Sequence, residues 1–251
     1  QLRQAGVLTE VGLCQPEAES LNAPFFKYHR TGRPWVILKW AQSIDGKMAW
    51  RASSAGGNWI SNEACRQDVH RLRKKVQGIV TGIETILQDN PQLTVRLGDP
   101  ISRPPVRIVL DSQLRIPFDC RVLMTQEVPT WVVTTHTSFH AQPEKISRLR
   151  QAGAEVLEVG QSGRHCDLHE TLDQLAKRGL QQILVEAGPP LQSQFLKEKL
   201  ADEVRIYIAP LLLGAAGKAY LSAALRGMER IELHQRQIEV FGDNVLISAR
   251  L

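Results

Sequence analysis

From residue 35 to the C-terminus, short apolar runs alternate with amphipathic stretches, and this alternation restricts the fold more than any other feature of the chain. The apolar runs predict strands at 35–39, 78–81, 106–111, 130–134, 154–159, 182–186, 204–209 and 244–249. Between them, Ser61 is placed to cap a helix running to about 76, with Glu63 in its first turn. Further helices are expected from Gly82 to about 88, over 143–152 before Gly153, over 168–178 before Gly179, and over 189–200. Such a pattern predicts an α/β fold, mostly a parallel sheet with helices on both faces. The last strand follows its predecessor without a helix, which predicts antiparallel pairing at a sheet edge. The 251 residues hold no repeat and no internal linker, so one domain is expected from 35 to 251. Residues 1–34 read as a lead-in that ends at the turn-like Thr31-Gly32-Arg33-Pro34.

Charge and composition narrow the function classes. The net charge is +5, and the densest basic stretch is only Arg71, Arg73, Lys74 and Lys75. A nucleic-acid surface would carry a longer basic stripe with aromatics interleaved, whereas phosphorylated small molecules suit a mild excess. Cys14, Cys65, Cys120 and Cys166 are far apart and form no CxxC, which points to a reducing, cytoplasmic setting. No apolar run reaches the ~18 residues of a membrane span, and no signal peptide is recognisable. The first residue is Gln1, so the chain is expected to come from a longer or processed polypeptide.

In parallel sheets, ligands gather at the carboxyl ends of strands. Three junctions there look prepared: Thr81-Gly82, Asp111-Ser112, and Glu186-Ala187-Gly188-Pro189-Pro190. At the third, a helix start preceded by glycine suits a phosphate, although Gly-Pro also simply punctuates chains. Neither GxGxxG nor GxxxxGK[ST] occurs, so a bound nucleotide would use neither device. Lys39 stands at the inward end of an apolar run, where its charge needs a partner, a solvated cleft, or a path back to the surface. Asp45, in Ser43-Ile44-Asp45-Gly46-Lys47, sits on a turn over the same region. Arg96, after Asp89-Asn90-Pro91, pairs with Arg73 as two guanidinium forks for one phosphate, or both are solvated. His165, Cys166 and His169 lack a fourth zinc ligand, and no GxSxG elbow is present.

Taken in order, several segments resemble the reductase half of the bifunctional riboflavin-biosynthesis deaminase/reductase family. They are Val36-Ile-Leu-Lys-Trp-Ala-Gln-Ser-Ile-Asp-Gly-Lys-Met-Ala49, Trp59-Ile60-Ser61, Arg66-Gln-Asp-Val-His-Arg-Leu-Arg73 and Gly82 through Arg96. Pro105-Val-Arg-Ile-Val-Leu-Asp-Ser112, Leu184-Val-Glu-Ala-Gly-Pro189 and Asp202-Glu203 before Tyr207-Ile-Ala-Pro-Leu-Leu-Leu-Gly214 complete the set. The resemblance implies a dihydrofolate-reductase-like fold, and reduction by NADPH of the ribosyl C1′ of 5-amino-6-(5-phosphoribosylamino)uracil. It implies cofactor contacts at Ala41, Trp59, Thr85, Asp89, Ser112, Gly188, Pro189, Pro190 and Leu191. Substrate contacts are implied at Arg73, Leu93, Arg96 and Glu186, with Gly57 standing where many relatives carry serine. Lys39 and Asp45 are the candidates for proton transfer. Residues 1–34 resemble the segment joining the two halves, while the deaminase motifs HxE and PCxxC are absent. The resemblance further suggests a homodimer or larger homo-oligomer, binding neither nucleic acid nor membrane. A pteridine- or folate-type reductase, a catalytically silent nucleotide-binding module, and a weak RNA binder are the alternatives.

Overall fold

The computed structural model describes residues 1–50, 59–98, 102–219 and 230–251, and Gly57 lies outside them. Helices α1 (Gln15–Leu21) and α2 (Ala23–Thr31) precede β1 (Trp35–Ser43), β2 (Lys47–Trp50) and α3 (Glu63–Lys75). Next come β3 (Gly78–Gly82), α4 (Ile83–Asp89), β4 (Val106–Leu110), α5 (Arg121–Met124), β5 (Thr130–Thr135), α6 (His136–Ala141), α7 (Pro143–Gln151) and β6 (Ala154–Val159). A small hairpin of β7 (Gln161–Ser162) and β8 (His165–Cys166) leads to α8 (Leu168–Lys177), β9 (Gln182–Val185), α9 (Pro189–Lys197) and β10 (Glu203–Ala209). The chain ends with β11 (Gly217–Ala219), β12 (His234–Phe241) and β13 (Asn244–Arg250).

Nine strands form one sheet in the order β12-β13-β10-β1-β9-β3-β4-β5-β6. Pairing is parallel from β10 across to β6, and β13 and β12 add to it antiparallel. The fold is thus the expected α/β class with an antiparallel C-terminal edge. Two expectations need correction. β13 is not the edge strand, because β12 lies outside it. β12 escapes a pattern reading because most of it is exposed on both faces, so no alternation is imposed on its sequence. Lys39 does not end its strand either; β1 continues to Ser43, held by register pairs from Ile37–Glu203 to Ser43–Ala209.

The two faces of the sheet carry different helices. Val36, Leu38 and Val185 pack with Leu172 and Leu175 of α8 and Phe195 and Leu196 of α9. Ile37, Ile79 and Leu184 pack on the other face with Leu72 of α3, Ile83 and Ile86 of α4, and Leu149 of α7. The chain crosses by α3 and α4 on one face, and returns by α8 and α9 on the other. β9 therefore inserts between β1 and β3 and leads to a helix on the face opposite to theirs. This reversal marks the carboxyl ends of β1, β9 and β3 as the place where an open α/β sheet forms its ligand crevice. At the opposite end, Asp202 accepts from the Val36 amide at 2.7 Å and from the Lys27 ammonium of α2, tying the first helices to the start of β1.

Two short-range devices hold the rim of the crevice. Asn62, not Ser61, caps α3: its side chain accepts from the Cys65 amide at 3.0 Å while its own amide donates to the Phe241 carbonyl at 2.6 Å. In the β1–β2 turn, Asp45 accepts from the Ser43 hydroxyl at 2.6 Å, and from the amides of Leu213 at 3.0 Å and Gly214 at 2.8 Å. Those donors, the Ser43 hydroxyl foremost, hold its carboxyl at about 2. Asn62→Ala is expected to destabilise the fold by about 1–2 kcal/mol in denaturant titrations, with Ser61→Ala closer to neutral. For Asp45 the folded value lies below the ordinary 3.8, so its contribution is present above that pH and lost as pH falls towards about 2. Asp45→Asn should therefore be less stable than the parent at neutral pH, with the gap closing between about pH 4 and pH 2. A gap that persisted unchanged at the acid end would contradict this role.

Candidate active site

Glu186, the first residue past β9, anchors the crevice. Its carboxylate receives a fork from Arg73 of α3, Nε to Oε1 at 2.6 Å and Nη2 to Oε2 at 3.0 Å. Both side chains are only 12% exposed, so the pair is largely withdrawn from water. Burial alone would push both toward their neutral forms, but the mutual attraction outweighs it: Glu186 is lowered and Arg73 is raised, and both stay ionised. The Glu186 carbonyl accepts from the Thr81 hydroxyl at 2.8 Å, which aligns the ends of β9 and β3. Lys39 belongs to the same group. Its ammonium lies 5.4 Å from the centre of the Tyr207 ring. Burial lowers its pKa from 10.5, Glu186 opposes that, and Arg73 adds to it. Tyr207 is fixed in turn by donating to Asp68 of α3 at 2.6 Å.

A strap of chain after α4 closes one side. Leu93 is buried and adopts φ 52, a left-handed conformation that costs a leucine energy and persists only where the surroundings enforce it. Three side chains enforce it here. Arg107, buried at the start of β4, donates to the Gln92 carbonyl at 3.4 Å. Arg73 donates to the Thr94 carbonyl at 2.8 Å. Nδ1 of His70 on α3 accepts from the Arg96 amide at 3.2 Å. The Leu93 side chain belongs to the core, so the strap offers a ligand its backbone there and the exposed Arg96 side chain beyond.

The other expected positions lie on β1, before α3, on α4, after β4 and at the start of α9. Ala41, half-buried on β1, packs near Ile60, Tyr207 and Ala209. Trp59 is 71% exposed and its ring lies 5.2 Å from the Arg66 guanidinium. Thr85 and Asp89 lie on α4, and Ser112 follows β4. The Ser112 hydroxyl accepts from the Cys166 amide at 2.9 Å, and its carbonyl accepts from Ser138 at 2.7 Å. Gly188 caps α9 without a side-chain hydrogen bond, and Pro189 and Pro190 occupy the first turn. A Cβ at Gly188 would meet only Pro190 Cδ at 3.8 Å, and its φ of −68 suits any residue. Packing therefore does not demand glycine, and the missing side chain leaves the helix start open. Gln192 fixes that helix to the sheet, donating to the carbonyls of Lys39 at 3.0 Å and Ala187 at 2.7 Å.

Asp45 stands apart from the other candidates: its oxygens already serve the loop, and at about 2 its carboxyl has no proton to give at neutral pH. His165, Cys166 and His169 do not converge as a zinc site would require, because Cys166 is buried against the Val133 carbonyl while His169 faces Arg33 and Glu198. His70 and Gln192 were not legible as site residues. The spacing of His70 three residues before Arg73 is the one sequence signal that places both on one helical face. Among the described residues, no helix is long and apolar enough to cross a membrane.

Comparison with known proteins places the chain in a family. The family model described as the RibD C-terminal domain matches residues 34–247. The chain is 34% identical to a riboflavin biosynthesis protein RibD of Aquifex aeolicus, over 98% of this chain and 66% of that protein. It thus spans slightly less than two thirds of that relative's length. The solved structure of Acinetobacter baumannii RibD, form 1, superposes with a TM-score of 0.83 at 31% identity, covering 99% of this chain and 67% of that one. A Thermotoga maritima structure, described as a diaminohydroxyphosphoribosylaminopyrimidine deaminase/5-amino-6-(5-phosphoribosylamino)uracil reductase, gives 0.77 at 26% identity, over 99% of this chain and 65% of that one. With the family model matching residues 34–247, most of its length, this chain belongs to the RibD C-terminal domain family.

Proposed function

We propose that this chain is an NADPH-dependent reductase of riboflavin biosynthesis, acting on 5-amino-6-(5-phosphoribosylamino)uracil. The observation that carries the reading is the set of cations near the Arg73–Glu186 fork: Lys39 and Arg73 act on the Glu186 carboxylate, and Arg96 stands on the strap beside His70. Such a site favours a dianionic phosphate. A folate-type substrate would have less use for it. The start of α9 fits the phosphates of a dinucleotide by its position at the positive end of a helix and the absence of a side chain at Gly188, although Pro189 and Pro190 contribute no amide donors. Ala41, Trp59, Thr85, Asp89 and Ser112 would complete the cofactor contacts, and Trp59 offers an exposed indole face.

When bound, NADPH supplies the hydride that reduces C1′ of the ring-opened ribosylamine. The chain's own contribution is to align and to protonate. Arg73 and Arg96 hold the 5-phosphate, Glu186 keeps the Arg73 fork oriented, and the Leu93 backbone borders the substrate. The Lys39 ammonium holds the proton that the ribose ring oxygen takes up on opening. Burial makes this ammonium a stronger acid than an exposed lysine. Asp45 serves by fixing the turn above the crevice.

The direct test follows nicotinamide absorbance with and without the pyrimidine ribose phosphate. Substrate-dependent loss of absorbance is expected. NADPH binding without turnover would instead indicate a silent nucleotide-binding module, and competition by folates but not by ribose phosphates a folate-type enzyme. Lys39→Met should lower kcat about a hundredfold while leaving NADPH affinity unchanged. Because the Lys39 pKa lies below 10.5, the parent's activity should decline on the alkaline side before an ordinary lysine titrates. That decline should vanish in the residual activity of Lys39→Met, and an unchanged rate and profile would exclude Lys39 from the chemistry.

A further inference from the structure

We infer that His70 is a positioning residue that sets the place of Arg96, so that one helix gauges the separation of the two guanidinium groups of the anion clamp. The inference rests on the reading of Arg73 and Arg96 as that clamp. α3 carries Arg73 and, three residues earlier, His70. Arg73 reaches the site directly and is locked by Glu186. Arg96 sits on the strap, where its exposed guanidinium makes no hydrogen bond or ion pair to a described residue. What fixes its backbone is the bond from its amide to Nδ1 of His70 at 3.2 Å.

That bond needs a lone pair on Nδ1, so the imidazole is neutral with its proton on Nε2. The surroundings favour that state. Burial, then the charges of Arg73 and Arg96, lower the His70 pKa from 6.5, against opposition from Glu186 and the Thr94 carbonyl. The strap also has reason to need an anchor. Leu93 holds φ 52 immediately after Gln92, whose carbonyl Arg107 pins, and without restraint it would relax toward an ordinary conformation. Arg107 and Arg73 pin the strap at Gln92 and Thr94, and His70 pins its far end at Arg96. Losing the last restraint frees the end that carries the guanidinium while leaving the rest in place.

The experiment measures ribose 5-phosphate affinity by calorimetry for the parent, His70→Ala, His70→Asn, Arg96→Ala and the His70→Ala/Arg96→Ala double variant, with NADPH affinity and Tm recorded for each. His70→Ala should weaken ribose 5-phosphate about five- to tenfold and leave NADPH binding unchanged. His70→Asn retains an acceptor oxygen near the place of Nδ1 and should restore most of that loss. In the Arg96→Ala background, His70→Ala should have no further effect, because the group it positions is gone. Equal penalties in both backgrounds, or an asparagine variant as weak as the alanine one, would overturn the inference. Failure of the parent to bind ribose 5-phosphate would overturn the clamp and the inference together. Coupling between positions 70 and 96 without pyrimidine turnover would sink the proposed reaction and leave the inference standing.

Discussion

The site is organised by the fork between Arg73 and Glu186. It joins a helix on one face of the sheet to the end of a strand that the chain reaches only after building most of the other parallel strands. Each partner is buried enough that removing the other would strand a charge, at a cost of about 3–5 kcal/mol. Satisfying that charge fixes how α3 lies across β1 and β9. The same helix brings His70 to the strap and Asp68 to Tyr207, and Tyr207 forms a wall beside Lys39. One ion pair thus couples the depth of the crevice, the placement of its cations and the path of the loop that closes it.

Much of the fold was legible because buried parallel strands leave continuous apolar runs, and 154–159 coincides with β6. Legibility failed where burial did not write itself into residue type. The second half of β1 carries Lys39 and Gln42, and only its partnership with β10 reveals it as strand. β12 has no buried face to impose a period. At the start of α3 composition pointed to Ser61, whereas the cap is Asn62, to which the turn before β13 offers a carbonyl as well.

The candidate site divides in the same way. Arg73, Arg96, Glu186 and the Gly188 helix start stand in recognisable segments, and the fold joins Arg73 to Glu186 and sets the Arg96 backbone against His70. The function of His70 depends on a ring nitrogen meeting an amide 26 residues away, a relation that no local pattern encodes. Leu93 is instructive for a different reason. As an apolar residue its side chain obeys the core, while its strained backbone obeys the strap, so a single position answers to packing and to the site at once.

The outer strand β12 bears on how the protein behaves when concentrated. Among the described residues, nothing pairs with its outer edge, and Ile238 and Val240 are 69% and 71% exposed on it. A flat strand of that kind is a template for adding strands from other chains. Here the register slips between His234 and Gln237, Gln235 takes a positive φ of 46, exposed Arg236 precedes the apolar pair and exposed Glu239 stands between its members. A bulge twists the edge and charges disfavour close stacking, so indefinite sheet growth is discouraged at the rim. Resistance to sheet growth is therefore built into the outward-facing part of β12, while its last residue, Phe241, belongs to the framework that caps α3.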